Sequence, residues 1–147
     1  MPSIDIPIPE KPHFQTEMKT RHYDTRSALT ASGAHVTHLT YENIVLLANE
    51  GFDLFLENFG FSKANITGSN ITVPSLEVTY HKEIKGNETL ILEVSVLEIG
   101  NKSCQLIVII KNKSLEVAAK ARISLIFFNY KEMKTEVVPE SFKKLFT

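Results

Sequence analysis

The spacing of apolar residues before position 41 predicts an extended arm, one strand and a loop. Residues 1–13 contain Pro2, Pro7, Pro9 and Pro12, and isoleucine alternates with other residues at Ile4, Ile6 and Ile8. Because proline favours extended backbone, we expect an arm that lies along an apolar surface. A strand is predicted over residues 14–24. Residues 25–40 show no clear periodicity and are predicted to form a loop.

A long amphipathic helix is predicted over residues 41–59. Thr40 can serve as its N-cap, Glu42 is acidic in the first turn, and Gly60 marks the end. At about 100° per residue, the apolar face consists of Ile44, Val45, Ala48, Phe52, Phe55, Leu56 and Phe59. The polar arc carries Asn43, Asn49, Glu50, Asp53 and Glu57, interrupted by Leu46, Leu47 and Leu54. Because most of its girth is apolar, we expect this helix to pack against a sheet and to contact a partner.

The chain after the helix has the patterns of strands. Residues 61–69 are predicted to form a loop. Apolar and polar residues alternate over 75–81 and 90–96, residues 106–110 are apolar on both faces, and 116–130 are rich in β-branched and aromatic residues. Short connections between successive strands favour antiparallel neighbours. The sequence therefore predicts an α+β fold in which a curved antiparallel sheet wraps around one long central helix.

Composition and charge narrow the classes of protein. The 147 residues, 43% of them hydrophobic, are typical of one globular domain, which we assign to residues 14–147 behind an arm of residues 1–13. A net charge of −1 gives no field that attracts nucleic acid or an anionic membrane. The first residues lack the pattern of a secretory signal, and no apolar run reaches the roughly 20 residues that span a bilayer. These features predict a cytoplasmic protein.

Cys104 lies in an apolar run, so we expect a buried, unreactive thiol.

Four short segments, taken in order, resemble the hotdog-fold thioesterase superfamily, specifically its 4-hydroxybenzoyl-CoA thioesterase-like branch. They are Arg-His-Tyr-Asp-Thr at residues 21–25, the helix at 44–56 with Asn49-Glu50, Leu-Glu-Val-Thr-Tyr at 76–80 followed by Lys85-Gly86, and Val-Pro-Glu at 138–140. The resemblance implies a hotdog fold and an acyl thioester ligand, carried by coenzyme A or acyl carrier protein. It also implies a homodimer, or a homotetramer built as a dimer of dimers, whose sheets join at their edges.

The sequence departs from this family at its usual catalytic acid. The family commonly has an aspartate four residues before a histidine or apolar residue that leads into the helix. Alignment from the helix places His38 at the histidine position and Ala34 at the acid, whereas alignment from Asp24-Thr25 places Arg26 there. The resemblance therefore supports an acyl thioester ligand more directly than it supports a catalytic apparatus.

Thioester hydrolysis needs a carboxylate near the carbonyl and hydrogen-bond donors for the developing oxyanion. Glu50 on the polar arc of the helix is the first candidate for the base or nucleophile, and Asp24 at a strand end is the second. His38 is a third catalytic candidate, since an imidazole can carry a proton near neutral pH. The candidate ligand-binding residues are His35, Thr40, Tyr41 and Asn43 around the helix start, and Arg122 for the phosphates of coenzyme A.

Three functions stay open from the sequence. The first is hydrolysis of an acyl-CoA to free acid and coenzyme A. The second is a non-catalytic protein that binds acyl thioesters, and the third is a dehydratase that pairs His35 or His38 with Glu50. We expect no metal, because His35, His38, Glu50 and Asp53 do not follow a zinc-binding spacing. No cofactor is predicted beyond the coenzyme A of the substrate, and the acyl group is not specified by any residue.

Overall fold

The structure is a computed structural model that describes residues 5–21, 25–29 and 35–147, with only the backbone considered for 25–29 and 35–38. Its strands are β1 (Phe14–Lys19), β2 (Thr25–Leu29), β3 (His35–Leu39), β4 (Asn70–Tyr80), β5 (Thr89–Leu97), β6 (Ser103–Lys111), β7 (Val117–Asn129) and β8 (Lys134–Thr135). Its helices are α1 (Tyr41–Asn58) and α2 (Glu140–Phe146).

The main sheet is antiparallel throughout, with strand order β1-β5-β6-β7-β4 and the short β8 paired to β7. The four long strands after α1 are those that the sequence predicts, β4 and β5 from alternation, β6 from its continuous apolar run and β7 from its β-branched and aromatic residues. β4 is an edge strand, and its pairing with β7 shifts register between Thr72 and Ser75, around Pro74. Because proline has no N–H to donate to a ladder, it is tolerated at such an edge irregularity.

The helix α1 packs on one face of the sheet, which we call the inner face. Leu92, Val94, Leu106, Val108 and Ala121 line this face and share one buried cluster with the apolar side of the helix. A Cβ added at Gly51 would lie 3.0 Å from Leu92 Cδ2 and 3.6 Å from Val108 Cγ1. The absence of a side chain at Gly51 therefore lets the helix lie close to β5 and β6. The predicted arrangement of one long helix against an antiparallel sheet is confirmed.

The segment predicted as a loop over residues 25–40 contains two strands instead. β2 and β3 pair as an antiparallel ribbon in which Thr25 is opposite Leu39 and Leu29 is opposite His35. Each strand has only five residues, so neither is long enough to show a clear alternation of apolar and polar positions. The loop prediction is therefore wrong, because backbone pairing rather than side-chain pattern defines these strands. The first predicted strand is also shorter than expected and ends at Lys19, while Asp24 lies outside the described residues.

Three leucines were predicted on the polar arc of α1, and they have different environments. Leu47 is buried, Leu54 is half-buried, and Leu46 is 63% exposed. Leu47 belongs to the same buried cluster as Leu39 at the end of β3, so the core extends further around the helix than the wheel predicts. Leu46 is left as an apolar side chain on the surface.

The described part of the N-terminal arm lies, at Asp5 and Ile6, on the opposite, outer face of the sheet. Ile6 is 1% exposed and packs with Ile107 and Ile109 of β6, whereas Ile8 is 48% exposed. The expected contact between the arm and an apolar surface is therefore confirmed at Ile6.

Cys104 is buried as predicted, and burial raises the pKa of its thiol to about 12.

Candidate functional site

The start of α1 carries an unsatisfied polar group. Thr40 is the N-cap residue and has extended backbone, and its carbonyl accepts the N–H groups of Asn43 and Ile44, each at 3.1 Å. Its Oγ1 is buried, makes no capping hydrogen bond, and has no partner among the described residues. The first N–H groups of any helix also lack partners within the helix. The Thr40 hydroxyl therefore offers hydrogen-bond capacity that the described part of the chain does not use.

A cavity of about 520 Å³, here called the helix-start cavity, opens beside Thr40. It is lined by Leu39, Thr40, Tyr41, Tyr80, His81, Lys82 and Glu83. Tyr41 is 66% exposed, and Tyr80 approaches it from the end of β4. Partial removal from water raises the pKa of the Tyr80 phenol to about 12, and Tyr41 and Glu42 add to the effect. Tyr80 therefore keeps its proton at neutral pH and can donate a hydrogen bond into the cavity.

Two other side chains at this cavity already have partners. His81 Nε2 lies 3.0 Å from Thr79 Oγ1, and Lys82 forms an ion pair with Glu116. Hydrogen bonds from Lys82 and Asn112 hold the pKa of the exposed Glu116 carboxyl below its usual range. The cation of Lys82 is thus directed toward Glu116.

A second cavity of about 490 Å³, here called the helix-flank cavity, runs along the polar side of α1. Its lining consists of Met18, Lys19, Arg21, Leu39, Asn43, Leu46, Leu47, Asn49 and Glu50. Asn43 and Glu50 are seven residues apart, which places them on the same side of the helix, separated by about two turns. The structure therefore brings together two of the residues that the sequence marks as candidates, and places them beside the exposed cations of Lys19 and Arg21.

Glu50 and the helix start lie in different cavities of one chain. Ten residues separate Glu50 from Thr40, which corresponds to about 15 Å along the helix axis. Leu39 is the residue common to both linings. Within one chain, the start of α1 and the Glu50 carboxylate are therefore too far apart to act on the same carbonyl group.

Arg122 is placed away from both cavities. It projects from β7 on the outer face, where its guanidinium donates to the Asp5 carbonyl at 2.7 Å and lies 3.5 Å from a Glu77 carboxylate oxygen. Its Nε is buried and has no hydrogen-bond partner among the described residues. The structure thus gives Arg122 a contact with the N-terminal arm that its sequence pattern does not indicate.

The remaining candidates lie at the limit of the described chain. Asp24 and Ala34 are outside it, and the side chains of His35 and His38 are not described. The backbone of β3 nevertheless places His38 two residues before Thr40 and opposite Arg26 of β2. Among the described residues, no group of three or more His, Cys, Asp or Glu side chains could hold a metal ion.

Sequence reasoning gave Tyr80, His81 and Glu83 of the helix-start cavity no role in a site. Tyr80 is the last residue of β4 and residues 81–83 follow it, so only the folding of the sheet around α1 brings them beside Thr40 and Tyr41. The alternation over residues 75–81 does place Tyr80 on the same face of its strand as Val78, which packs against the core. That alternation was the one available sign that Tyr80 faces the helix.

Comparison with known proteins identifies the family. The family model described as the thioesterase-like superfamily matches residues 33–146, so the chain belongs to this superfamily. Among curated proteins, no sequence match is found.

Solved structures support the same fold. A 1,4-dihydroxy-2-naphthoyl-CoA thioesterase from Synechocystis is similar with a TM-score of 0.73 at 13% identity, over 90% of this chain and 93% of that chain. A Staphylococcus aureus protein solved in complex with CoA has a TM-score of 0.76 at 12% identity, over 96% and 85% of the two chains. A gentisyl-coenzyme A thioesterase has a TM-score of 0.70 at 18% identity, over 91% and 100%. The fold of this chain is the hotdog fold, as its sequence resemblance implies.

Proposed function

We propose that the protein hydrolyses an acyl-CoA thioester to a free acid and coenzyme A. Membership of the thioesterase-like superfamily is the observation that carries this proposal. A structural neighbour solved in complex with CoA supports coenzyme A as the carrier. The two cavities supply space for a ligand, one next to the Glu50 carboxylate and one next to the Thr40 hydroxyl, which has no partner among the described residues. The cytoplasmic location stays a prediction, and neither helix of the described chain is long and apolar enough to cross a membrane.

The helix-flank cavity is the proposed place of the chemical step. Side chains on a helix tilt toward its N-terminus, so Glu50 leans along the helix in the direction of Asn43. In the proposed reaction Glu50 accepts a proton from a water molecule, whose oxygen attacks the thioester carbonyl carbon. The Asn43 amide donates a hydrogen bond to the carbonyl oxygen as it gains negative charge. The C–S bond then breaks, its electron pair goes to sulfur, and Glu50 returns the proton to give the thiol.

A second copy of the chain completes the proposed assembly. Leu76 and Tyr80 point to the inner side of the edge strand β4, where they are 37% and 45% exposed. Tyr41 and Leu46 add further exposed apolar surface on α1. An edge strand with free backbone groups and uncovered apolar side chains is suited to pairing with another chain. We therefore propose a homodimer joined at β4, from which a dimer of dimers can be built.

Release of free thiol from a panel of short, long and aromatic acyl-CoAs tests the enzymatic proposal. We expect Glu50→Gln to keep the fold and acyl-CoA binding and to lower turnover by roughly 100-fold, because it removes the proposed base. Glu57→Gln is the matched control, since Glu57 is an exposed acid on the same helix but does not line the helix-flank cavity. It should turn over substrate like the wild type. If Glu50→Gln is fully active while Asp24→Asn is inactive, the base is Asp24 instead.

Binding of acyl thioesters without hydrolysis is the second candidate function. The separation of Glu50 from the helix start favours it, as does the presence of Ala34 or Arg26 at the family's usual acid position. The same panel distinguishes the two functions when binding is measured by calorimetry beside thiol release. A protein that binds acyl-CoA and hydrolyses none of the panel is a binding protein, and the enzymatic proposal then fails. Repeating the panel with acyl carrier protein thioesters separates the two carriers.

A further inference from the structure

Among the described residues of the N-terminal arm, Asp5 and Ile6 contact the outer face of the sheet. Residues 5–9 form no strand, and the described arm bonds the sheet backbone at its end, where the His13 N–H donates to the Val94 carbonyl at 3.0 Å. Ile6 is the buried side chain among the arm residues that the structure describes, and it packs against Ile107 and Ile109 with Leu97 and Val117 at the margin. Within residues 5–9, the apolar contact with this face thus comes from one buried side chain.

Two cations of β7 hold the backbone of the arm beside that side chain. Lys120 Nζ donates to the Ile6 carbonyl at 2.9 Å, and Arg122 donates to the Asp5 carbonyl at 2.7 Å. In the sheet, Ile109 is opposite Lys120 and Ile107 is opposite Arg122. The two isoleucines that contact Ile6 are therefore cross-strand neighbours of the two cations that bond the arm. Neither hydrogen bond uses a side chain of the arm. A change at Ile6 should therefore release the arm without altering the strands beneath it.

The surface under the arm is an apolar stripe between pairs of opposite charge. Glu93 and Lys111 form an ion pair of 2.9 Å on the β5 side, and Glu77 lies 3.5 Å from Arg122 on the β4 side. An apolar centre with both signs of charge around it is self-complementary, because a two-fold axis can place each acid of one copy near a base of the other. Both helices pack into the cluster on the inner face, which leaves the arm to cover the outer one.

We infer that the arm is a displaceable strap that closes this outer face against a second copy of the chain. While Ile6 is seated, the isoleucines of β6 are removed from water and the face cannot pair. Once the arm is released, these side chains form an exposed apolar stripe, which favours face-to-face association of two molecules. This association is separate from the proposed pairing at β4 and does not depend on catalysis.

Light scattering across micromolar concentrations tests the strap with a matched pair of variants. We expect Ile6→Ser to show roughly twice the wild-type mass at high concentration, since two molecules pair through the uncovered stripe. Ile8→Ser removes an equally apolar but exposed side chain of the same arm and should keep the wild-type mass. Circular dichroism should show the same strand and helix content in all three proteins.

A second set of measurements locates the new contact. Adding Ile109→Glu to Ile6→Ser places a charge in the stripe and should restore the wild-type mass. A peptide of residues 1–12, added to a chain that lacks residues 1–9, should also restore it. If Ile6→Ser keeps the wild-type mass at every concentration, or gains mass that Ile109→Glu does not reverse, the strap is refuted. A loss of stability without a change in mass refutes it equally, because the arm would then be only a brace.

Discussion

The two ends of α1 differ in how they are covered. At the C-terminal end, Phe55 lies within 5.5 Å, centroid to centroid, of both Phe59 and Phe146, and Phe142 of α2 lies 4.9 Å from Phe146. At the N-terminal end, Thr40 Oγ1 has no partner among the described residues and two cavities open beside the helix. Aromatic packing of this kind stabilises a fold, whereas unused hydrogen-bond capacity is available to a ligand. The C-terminal end of α1 thus contributes to the stability of the domain, whereas its N-terminal end contributes to the candidate site.

The largest expected effect comes from opening the aromatic end. Phe55 is fully buried, so Phe55→Ala should lower the free energy of unfolding by about 3 to 5 kcal/mol. Urea unfolding followed by circular dichroism measures this loss. Leu145→Ala is the control in α2, and because Leu145 is 49% exposed its cost should stay within about 0.5 kcal/mol. Equal costs for the two variants would contradict the description of this end as the packed one.

A smaller effect is expected at Thr40, and mainly on binding. Replacing an N-cap threonine commonly costs about 1 kcal/mol, but this hydroxyl makes no capping bond. Thr40→Val should therefore change the free energy of unfolding by less than about 0.5 kcal/mol. If the hydroxyl bonds the thioester ligand, the variant should bind acyl-CoA roughly fivefold more weakly. Thr40→Ser keeps the hydroxyl and should behave like the wild type. A loss of 1 kcal/mol or more in Thr40→Val would mean that the hydroxyl caps the helix after all.

The smallest effect is a dependence of stability on pH at the closed end. The His13 ring lies 5.0 Å from Phe146, and its Nδ1 accepts the Val96 N–H at 3.0 Å. Burial lowers the pKa of His13 below its usual 6.5, so the unfolded chain binds a proton more readily than the folded one. This contribution to stability is present above pH 6.5 and is lost as pH falls through the lower, folded pKa.

Urea midpoints measured across that range check the sign. His13→Gln should flatten the decline toward acid, whereas His81→Gln, which alters an exposed ring at the open end, should leave the decline as it is. An unchanged slope in His13→Gln would show that another group is responsible.

Elements with long and regular patterns could be predicted from the sequence. The 3.6-residue period of α1, the alternation in β5 and the β-branched and aromatic residues of β7 each extend over many residues, so their class and approximate limits agree with the structure. The ribbon of β2 and β3 and the seven-residue α2 are too short to show a period. Their existence depends on pairing and packing partners that are distant in sequence.

The candidate site was predictable to a similar extent. Asn43 and Glu50 belong to one helix face, and helix geometry alone places them together. Tyr80 is 40 positions away from Thr40 in the sequence, and the two residues line one cavity only because the sheet packs around α1. The strand that contains Arg122 could be predicted from the sequence. Its contact with Asp5 could not, because the two residues are far apart in sequence and no local pattern links them.

The register shift in β4 has a consequence for aggregation. Unbroken sheet edges can recruit further strands without limit, and natural proteins interrupt them with bulges or proline. Here the shift between Thr72 and Ser75, with Pro74 inside it, divides the edge into two short ladders. An incoming strand can follow only the ladder of residues 75–80 before it meets the irregularity. The same edge that is suited to joining two molecules is therefore a poor template for a growing fibril.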